Sequence, residues 1–326
     1  MIITRTPLRI SIGGGGTDLP SYYERFGGFV ISAAMDKYVY ITVNRAFRPE
    51  YILKYSRQET ATAIDEIEHD IIRETLRLFD IPPAIEIASI ADVPAGTGMG
   101  SSGSFTVGLL HALTAHLRRH IGTEELAHQA NRIEMKLLGE HCGKQDHYIA
   151  AYGGITCQDY RPDGTVDTFP LAIDDATLRD LDESLMLFFT GYSRKASDLL
   201  EDQKTRSERD DAAMLDNLHF IKDLGQRIRG LLESGDTQGF AELMHEHWLH
   251  KKQRSPDMSN DRINGLYDHA RQNGAVGGKL VGAGGGGFLL FYTRDRAKLR
   301  NAMADKDLHE VDFTFDFDGS IVQLRN

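Results

Sequence analysis

The stretch that decides the fold is "ADVPAGTGMGSSGSF", residues 91–105, which holds four glycines and three serines between two apolar segments. The segment before it, "PPAIEIAS", alternates like a β-strand, and the segment after it, "SFTVGLLHALTAHL", is typical of a helix. Glycine lets main-chain N–H groups come close to a ligand, and the N-terminus of a helix attracts anions. The stretch therefore predicts a loop that binds phosphate groups.

Three phosphate-binding patterns compete for this loop. Gly98, Gly100 and Gly103 match the dinucleotide pattern G-x-G-x-x-G, but an acidic strand end should follow about 20 residues later. Glu124 and Glu125 lie at that distance and open a helix instead, so an NAD-dependent oxidoreductase is the weaker alternative. No lysine follows the glycines as a Walker motif requires. The third pattern is a phosphate-binding loop of another kind, in which glycine N–H groups and serine hydroxyls at the start of a helix bind the anion. We favour it over the dinucleotide and Walker patterns. We also favour it over a structural role in which the small residues only allow the helix to pack close to the strand.

Composition restricts the class of protein. The chain has 326 residues, 41% hydrophobic and 26% charged, with a net charge of -11, which argues against a nucleic-acid partner. Its two cysteines, Cys142 and Cys157, form no C-x-x-C pair, which fits a reducing compartment. No apolar run reaches the roughly 18 residues of a membrane span. These features predict a cytoplasmic protein with no membrane segment.

Strands and helices are mixed along the chain without strict β-α-β alternation, which favours an α+β fold. The composition changes near residue 183, where a buried strand, "LMLFFTGY", precedes a long charged helical region. The sequence therefore predicts two domains, residues 1–183 and residues 184–326.

The glycine-rich stretch resembles a known family. "PAGTGMGSSGS", residues 94–104, is similar to the second signature motif of the GHMP kinases, and "TPLRISIGGGGTDLP" and "KLVGAGGGGFLLFY" resemble their first and third motifs in the expected order. The resemblance implies the two-domain GHMP kinase fold. Its N-terminal domain, with a mixed sheet and helices, binds ATP, and its C-terminal domain is ferredoxin-like.

The resemblance also implies roles for residues around the loop. Asp146, in "GKQDH", would orient or deprotonate the acceptor hydroxyl, and Arg9 would neutralise developing charge. Magnesium would be held by Ser102 and Glu134. The cofactors implied are ATP and Mg²⁺, with the ATP phosphates held by Gly96, Gly98, Gly100, Ser101, Ser102, Gly103 and Ser104.

Within the family, the segment around "GGGGTDL" looks most like heptose kinases that phosphorylate D-glycero-D-manno-heptose 7-phosphate at the anomeric hydroxyl. Asp18 would bind sugar hydroxyls, and Lys195 is the hypothesis for the distal phosphate, with Arg194, Lys251, Lys252 and Arg254 as further candidate cations. The full set of implied substrate-binding residues is Gly15, Gly16, Thr17, Asp18, Lys195, Gly284 and Gly285. A small sugar phosphate is thus the expected partner.

Several alternatives stay open. A related sugar-1-kinase could act on an unphosphorylated sugar such as L-fucose, and a kinase-like fold could bind sugar only to regulate a partner. A zinc cluster of His141, Cys142, Asp146 and His147 is a rival use of the "HCGKQDH" segment, although its ligand spacing is not that of structural zinc sites. The oligomeric state is not determined by the sequence, and a homodimer is one alternative.

Overall fold

The computed structural model describes residues 1–191 and 197–325, which form two β-sheets and eleven α-helices. The strands of the described chain are β1 (Ile2–Gly13), β2 (Gly28–Arg45), β3 (Tyr51–Lys54), β4 (Gln58–Ala61), β5 (Ile85–Ala91), β6 (Ile155–Tyr160), β7 (Val166–Pro170), β8 (Leu185–Phe189), β9 (Ala275–Leu280), β10 (Phe288–Thr293) and β11 (Ile321–Arg325).

The helices divide between the two halves of the chain. Those before residue 185 are α1 (Pro20–Phe26), α2 (Asp70–Leu78), α3 (Ser101–His116), α4 (Thr123–Arg132), α5 (Gln145–Tyr152) and α6 (Asp175–Ser184). Those after it are α7 (Ser197–Glu208), α8 (Ala212–Glu233), α9 (Thr237–Lys252), α10 (Asp261–Gln272) and α11 (Arg296–Ala304). Short helical turns lie at Ile64–Glu66, Ile133–Leu137 and Pro256–Met258, the second of them a π-helix that continues α4.

The larger sheet is mixed and is built around the long strand β2. Its order is β11-β1-β2-β5-β3-β4, and β2 also pairs with β6, which pairs with β7. The first half of β2 pairs with β6 and the second half with β5, so β2 joins two arms of the sheet. Strands β3 and β5 are parallel, and the other pairs are antiparallel.

The smaller sheet is antiparallel, in the order β8-β10-β9. An isolated bridge from Phe188 to Glu310 places the chain after α11 beside β8. The elements thus follow the β-α-β-β-α-β order of a ferredoxin-like domain, with the fourth strand reduced to that bridge. The α+β prediction is confirmed. The division at residues 183 and 184 stays a prediction, and β11 from the second segment pairs with β1 of the first.

Helix α3, which follows the glycine-rich stretch, is buried on nearly every side. Leu109 and Leu113 join the main core beneath the large sheet, whereas Val107 and Leu110 face α4 and α5. A helix that is apolar all round is stable only when it is covered on all sides. The sheet on one face and the two helices on the other cover α3 and fix where its N-terminus points.

Helix α8 packs across the large sheet through close backbone contacts. A Cβ added to Gly225 would lie 3.2 Å from the Cα of Gly14 and 3.2 Å from Phe29. The helix therefore lies so close to the sheet that a side chain at position 225 would have little space. On the same side, Ile228 lies against Gly13. Because Gly13 ends β1 and Gly14 begins the loop after it, α8 supports that loop directly. Within the described residues, no helix is long and apolar enough to cross a membrane.

The close contact of α8 predicts an asymmetric response to two matched substitutions. Gly225→Leu should lower the free energy of unfolding by about 3 kcal/mol or more, because overpacking forces the helix away from the sheet. Gly230→Leu, where an added Cβ meets nothing within 4 Å, should raise it by up to about 1 kcal/mol through helix propensity. Urea unfolding measures both changes, and equal effects of the two substitutions would contradict the packing.

Candidate active site

A cavity of about 910 Å³ lies where residues of both sheets meet. Strand β1, the loop after it, the glycine-rich loop and the start of α5 supply one part of the wall. The ends of α9 and β9 supply another part. Most of the residues that the sequence singles out, although far apart in the chain, come together around this space.

An ion pair between Arg9 and Asp146 lies in the wall of the cavity. Arg9 Nε donates to Asp146 Oδ1 at 2.7 Å and Arg9 Nη2 donates to Oδ2 at 3.0 Å, which is the bidentate geometry of a strong guanidinium–carboxylate pair. Alternation along β1 buries Leu8 and Ile10 on one face and directs Arg9 to the other. Asp146 lies in the first turn of α5 with its side chain 24% exposed, so a ligand can reach the carboxylate.

The glycine-rich loop has the geometry of an anion-binding loop. Gly96, Gly98 and Gly100 have φ of +78°, +81° and +75°, a region that favours glycine, and α3 begins immediately afterwards at Ser101. The free N–H groups of the first helical turn therefore face the cavity together with Ser101 and Ser102.

Two residues of the predicted phosphate loop do not line the cavity. Ser104 is buried, and its hydroxyl donates to the carbonyl of Pro7 at 2.7 Å. Gly103 packs against α5, where an added Cβ would lie 2.9 Å from Asp146 Cβ. Both residues hold the loop in place, and their predicted contact with ATP has no direct geometric support.

The third motif packs against the phosphate loop. An added Cβ on Gly282 would lie 2.5 Å from the Cα of Gly98, and one on Gly287 would lie 2.1 Å from the Thr97 carbonyl oxygen. Gly284 and Gly285, which the sequence predicts to bind substrate, contact Met258 instead, and Gly285 N donates to the Met258 carbonyl at 3.0 Å. Neither lines the cavity.

The loop after β1 carries a buried carboxylate. Asp18 accepts hydrogen bonds from the N–H groups of Gly16 at 3.0 Å and Gln145 at 3.2 Å. Burial, together with the nearby charge of Asp146, raises the pKa of Asp18. Gly15, Gly16 and Asp18 line the cavity. Thr17 does not, because its hydroxyl is hydrogen-bonded to the backbone of Gly14 in the loop and of Phe29 in β2.

The predicted metal ligands come from two helices: Ser102 lies in the first turn of α3 and lines the cavity, whereas Glu134 lies in the π-helix Ile133–Leu137 behind it. Glu134 is 2% exposed, accepts a hydrogen bond from Thr106 Oγ1 at 2.5 Å and lies 3.1 Å from His147 Nε2. Burial opposes its charge, but His147 and the hydroxyl groups of Thr106 and Ser102 lower the pKa of Glu134 overall. A charged carboxylate beside a serine hydroxyl suits a hard cation such as Mg²⁺.

The rival zinc cluster takes a different form in the structure. Cys142 and His147 come together with Glu134, and their ligand atoms lie within 4.8 Å of one another. His141 and Asp146 are not part of this group, and Asp146 is paired with Arg9. Burial raises the pKa of the Cys142 thiol well above its usual value, so this thiol is protonated in the protein without a metal.

Buried cations on α9 and β9 form the other wall. Lys251 and Arg254, named from the sequence only as two of several candidate cations, line the cavity at 6% and 4% exposure. Sequence reasoning missed Lys279 and its neighbour His247, both 2% exposed. A signal for Lys279 was present, because "GGKLVG" places a lysine inside an otherwise buried strand. Lys252 lies outside the cavity beside Trp248, and Arg194 and Lys195 lie outside the described residues.

Aromatic side chains line the far end of the cavity. The ring of His69 stacks on Phe105 with centroids 5.0 Å apart and an interplanar angle of 18°, and Tyr55 meets His69 edge-on at 4.6 Å. Val39 and Val93 also line the cavity. This end suits a flat heterocycle next to the phosphate loop.

Comparison with known proteins identifies the family. Family models described as "GHMP kinases N terminal domain" and "GHMP kinases C terminal" match residues 67–154 and 228–307. A D-glycero-alpha-D-manno-heptose 7-phosphate kinase of Campylobacter jejuni is 30% identical over 332 residues, covering 98% of this chain and 97% of the relative. The chain therefore belongs to the GHMP kinase family.

Two further relatives agree with this assignment. A crystal structure described as a D-glycero-D-manno-heptose 1-phosphate kinase from Bacteroides thetaiotaomicron matches with a TM-score of 0.82 and 25% identity over 100% of both chains. A bifunctional fucokinase/GDP-fucose pyrophosphorylase of Arabidopsis thaliana is 24% identical over 317 residues, which cover 90% of this chain and 30% of that protein. The predicted family, fold and class of enzyme, an ATP-dependent kinase, are confirmed.

The buried position of Lys251 predicts that this residue lowers the free energy of unfolding at neutral pH. Burial, with Arg254 and Arg9 nearby, lowers its pKa from 10.5 to about 7. Between these pH values the unfolded chain binds a proton that the folded chain has released, so Lys251 makes stability rise with pH across that window. Lys251→Met should therefore raise Tm by roughly 5 °C at pH 7, and the gain should shrink towards pH 10.5.

Differential scanning calorimetry at several pH values measures this difference. Lys252→Met, on the same helix but outside the cavity, is the matched control and should not show the gain. A Tm difference between wild type and Lys251→Met that stays constant from pH 7 to 10.5 would contradict the lowered pKa of Lys251.

Proposed function

We propose that the protein transfers the γ-phosphoryl group of ATP to the anomeric hydroxyl of D-glycero-D-manno-heptose 7-phosphate, which gives the 1,7-bisphosphate for nucleotide-heptose and surface polysaccharide synthesis. The observation that carries the proposal is the Arg9–Asp146 pair, which lies in the cavity wall next to the phosphate loop. The similarity to the Campylobacter jejuni heptose 7-phosphate kinase supports the choice of sugar.

ATP would lie along the glycine-rich loop. The N–H groups at the start of α3 and the hydroxyl of Ser101 would bind its phosphates. Ser101 Oγ is buried and has no hydrogen-bond partner among the described residues, which leaves it available to a phosphate oxygen. The adenine ring would stack in the aromatic end formed by Tyr55, His69 and Phe105.

The residues at the centre of the cavity would carry the chemistry. Asp146 would accept the proton of the anomeric hydroxyl as its oxygen forms a bond to the γ-phosphorus and the bond to the β-phosphate oxygen breaks, releasing ADP. Arg9 holds that carboxylate in one orientation through two hydrogen bonds and offers positive charge to the transferring group. Asp18 and the backbone of Gly15 and Gly16 would contact sugar hydroxyls.

Magnesium would bind between Ser102 and Glu134. The two residues supply a hydroxyl and a charged carboxylate, both oxygen donors of the kind that Mg²⁺ prefers. When bound, the ion neutralises phosphate charge in the reaction. Thr106 and His147 hold the Glu134 carboxylate from the other side, and their contacts fix its direction.

The alternative is a sugar-1-kinase for an unphosphorylated sugar such as L-fucose, and the similarity to a fucokinase supports it. The proposal also includes a cytoplasmic location. A homodimer is one alternative for the oligomeric state.

A panel of acceptors tests the proposed function. The purified protein is incubated with ATP and Mg²⁺ and with heptose 7-phosphate, heptose, L-fucose, D-galactose or mevalonate, and the products are followed by phosphorus NMR. We expect a new anomeric phosphate signal with heptose 7-phosphate at the highest kcat/KM. A higher kcat/KM for L-fucose would favour the alternative, and a signal from a phosphate at another carbon would contradict the proposed position.

The proposed role of Asp146 predicts a selective loss. Asp146→Asn should lower kcat by about 100-fold or more, because general base catalysis contributes about 10²–10⁴. The KM for ATP should change by less than about threefold, because the proposed contacts with the ATP phosphates come from the N–H groups at the start of α3 and not from the Asp146 carboxylate. Asp175→Asn, in the first turn of the exposed start of α6, is the control. A variant with near wild-type kcat would rule out the role.

A further inference from the structure

Three buried cations line one wall of the cavity without a counter-ion. Lys251, Arg254 and Lys279, called here the cation cluster, are 6%, 4% and 2% exposed. Within residues 1–191 and 197–325, no carboxylate oxygen lies within 4.0 Å of their charged nitrogens. Buried charges are normally paired, because removing them from water is costly. The cation cluster therefore has the charge that an anion-binding site needs.

The hydrogen bonds of the cluster leave donors for a ligand. Lys251 Nζ donates to the carbonyls of Leu280, at 3.0 Å, and Gly282. Lys279 Nζ donates to the Ile12 carbonyl at 2.9 Å and lies 3.4 Å from His247 Nδ1. A protonated lysine has three donors, so with a proton bound each of the two lysines keeps at least one N–H for an anion among the described contacts.

The position of the cluster assigns it to the acceptor and not to the ATP phosphates. Arg254 Nη2 donates at 3.0 Å to the carbonyl of Gly15, in the loop that carries Asp18. Lys279 Nζ donates to the carbonyl of Ile12, near the end of β1 and just before that loop. The phosphate loop has its own donors at the start of α3. Lys251 lies at the other end of the cluster, where its Nζ donates a hydrogen bond to the carbonyl of Gly282 in the third motif.

We infer that Lys251, Arg254 and Lys279 form the subsite for the second phosphate of the acceptor, the one that is not formed in the reaction. The inference rests on the proposed function, in which the acceptor already carries a phosphate. Lys195, the residue predicted from the sequence for that phosphate, lies outside the described residues and stays a prediction. A phosphate dianion would pair directly with these groups, which no carboxylate oxygen of the described residues contacts within 4.0 Å.

Steady-state kinetics with two acceptors tests the subsite. Lys251→Met and Lys279→Met are compared with wild type using heptose 7-phosphate and unphosphorylated heptose. Each variant should raise the KM for heptose 7-phosphate by about 10- to 100-fold, the effect of one charge-assisted hydrogen bond. The kcat/KM for unphosphorylated heptose and the KM for ATP should stay within about threefold of wild type. Lys252→Met is the matched control and should change none of these values.

Two results would overturn the inference. An equal loss of kcat/KM with both acceptors would place the cations on the transferred phosphoryl group, and an unchanged KM for heptose 7-phosphate would remove them from the site. Failure of wild type to phosphorylate any heptose is a separate result that refutes the proposed function. The subsite is then judged by phosphate binding alone.

Phosphate binding is measured by the shift in Tm on adding inorganic phosphate to protein already saturated with Mg²⁺ and a non-hydrolysable ATP analogue. The analogue fills the phosphate loop, so only a second anion site responds. Wild type and Lys252→Met should be stabilised by phosphate, and Lys251→Met and Lys279→Met should lose at least half of that shift. Equal shifts in all four proteins would contradict the subsite.

Discussion

The bidentate ion pair between Arg9 and Asp146 is the contact on which the site depends. It joins the middle of β1 to the first turn of α5, across 137 positions in the chain. Added Cβ atoms on Gly100 and Gly103 would lie 3.2 and 2.9 Å from Asp146, so these glycines give the ion pair its space. The glycine-rich loop, whose N–H groups would bind phosphate, therefore packs directly against the Asp146 carboxylate. This one packing contact fixes the position of the ATP-binding loop relative to the residue that would contact the acceptor.

Charge in this protein is divided between surface and interior. The chain as a whole carries -11, yet Arg9, Lys251, Arg254 and Lys279 are all buried around one cavity. An acidic surface gives no general attraction for anions, so selection of an anionic substrate has to come from inside the cavity. Burial and the nearby positive charges of Arg254 and Arg9 together lower the pKa of Lys251.

Much of the fold and part of the site could be predicted from the sequence, because they depend on local patterns. The glycine-rich loop, the helix after it and the family motifs are each contained in about 15 residues. What could not be predicted depends on contacts between distant segments. From the sequence alone, Lys279 is an ordinary strand residue, and its contacts with Ile12 and His247 are visible only in the structure. Gly284 lies in a predicted binding loop, and only the structure shows that Met258 packs against it. The ligand contacts of Thr17 and Ser104 stay predictions. Both hydroxyl groups donate to backbone carbonyls, and no sequence pattern shows which hydroxyl group has such a partner.

The most direct test of the account is a crystal structure of the complex with Mg²⁺, a non-hydrolysable ATP analogue and heptose 7-phosphate. We expect the anomeric oxygen to lie within hydrogen-bond distance of the Asp146 carboxylate and opposite the γ-phosphorus, with Arg9 still paired to that carboxylate. An anomeric oxygen directed away from Asp146, with another hydroxyl facing the γ-phosphate, would contradict it.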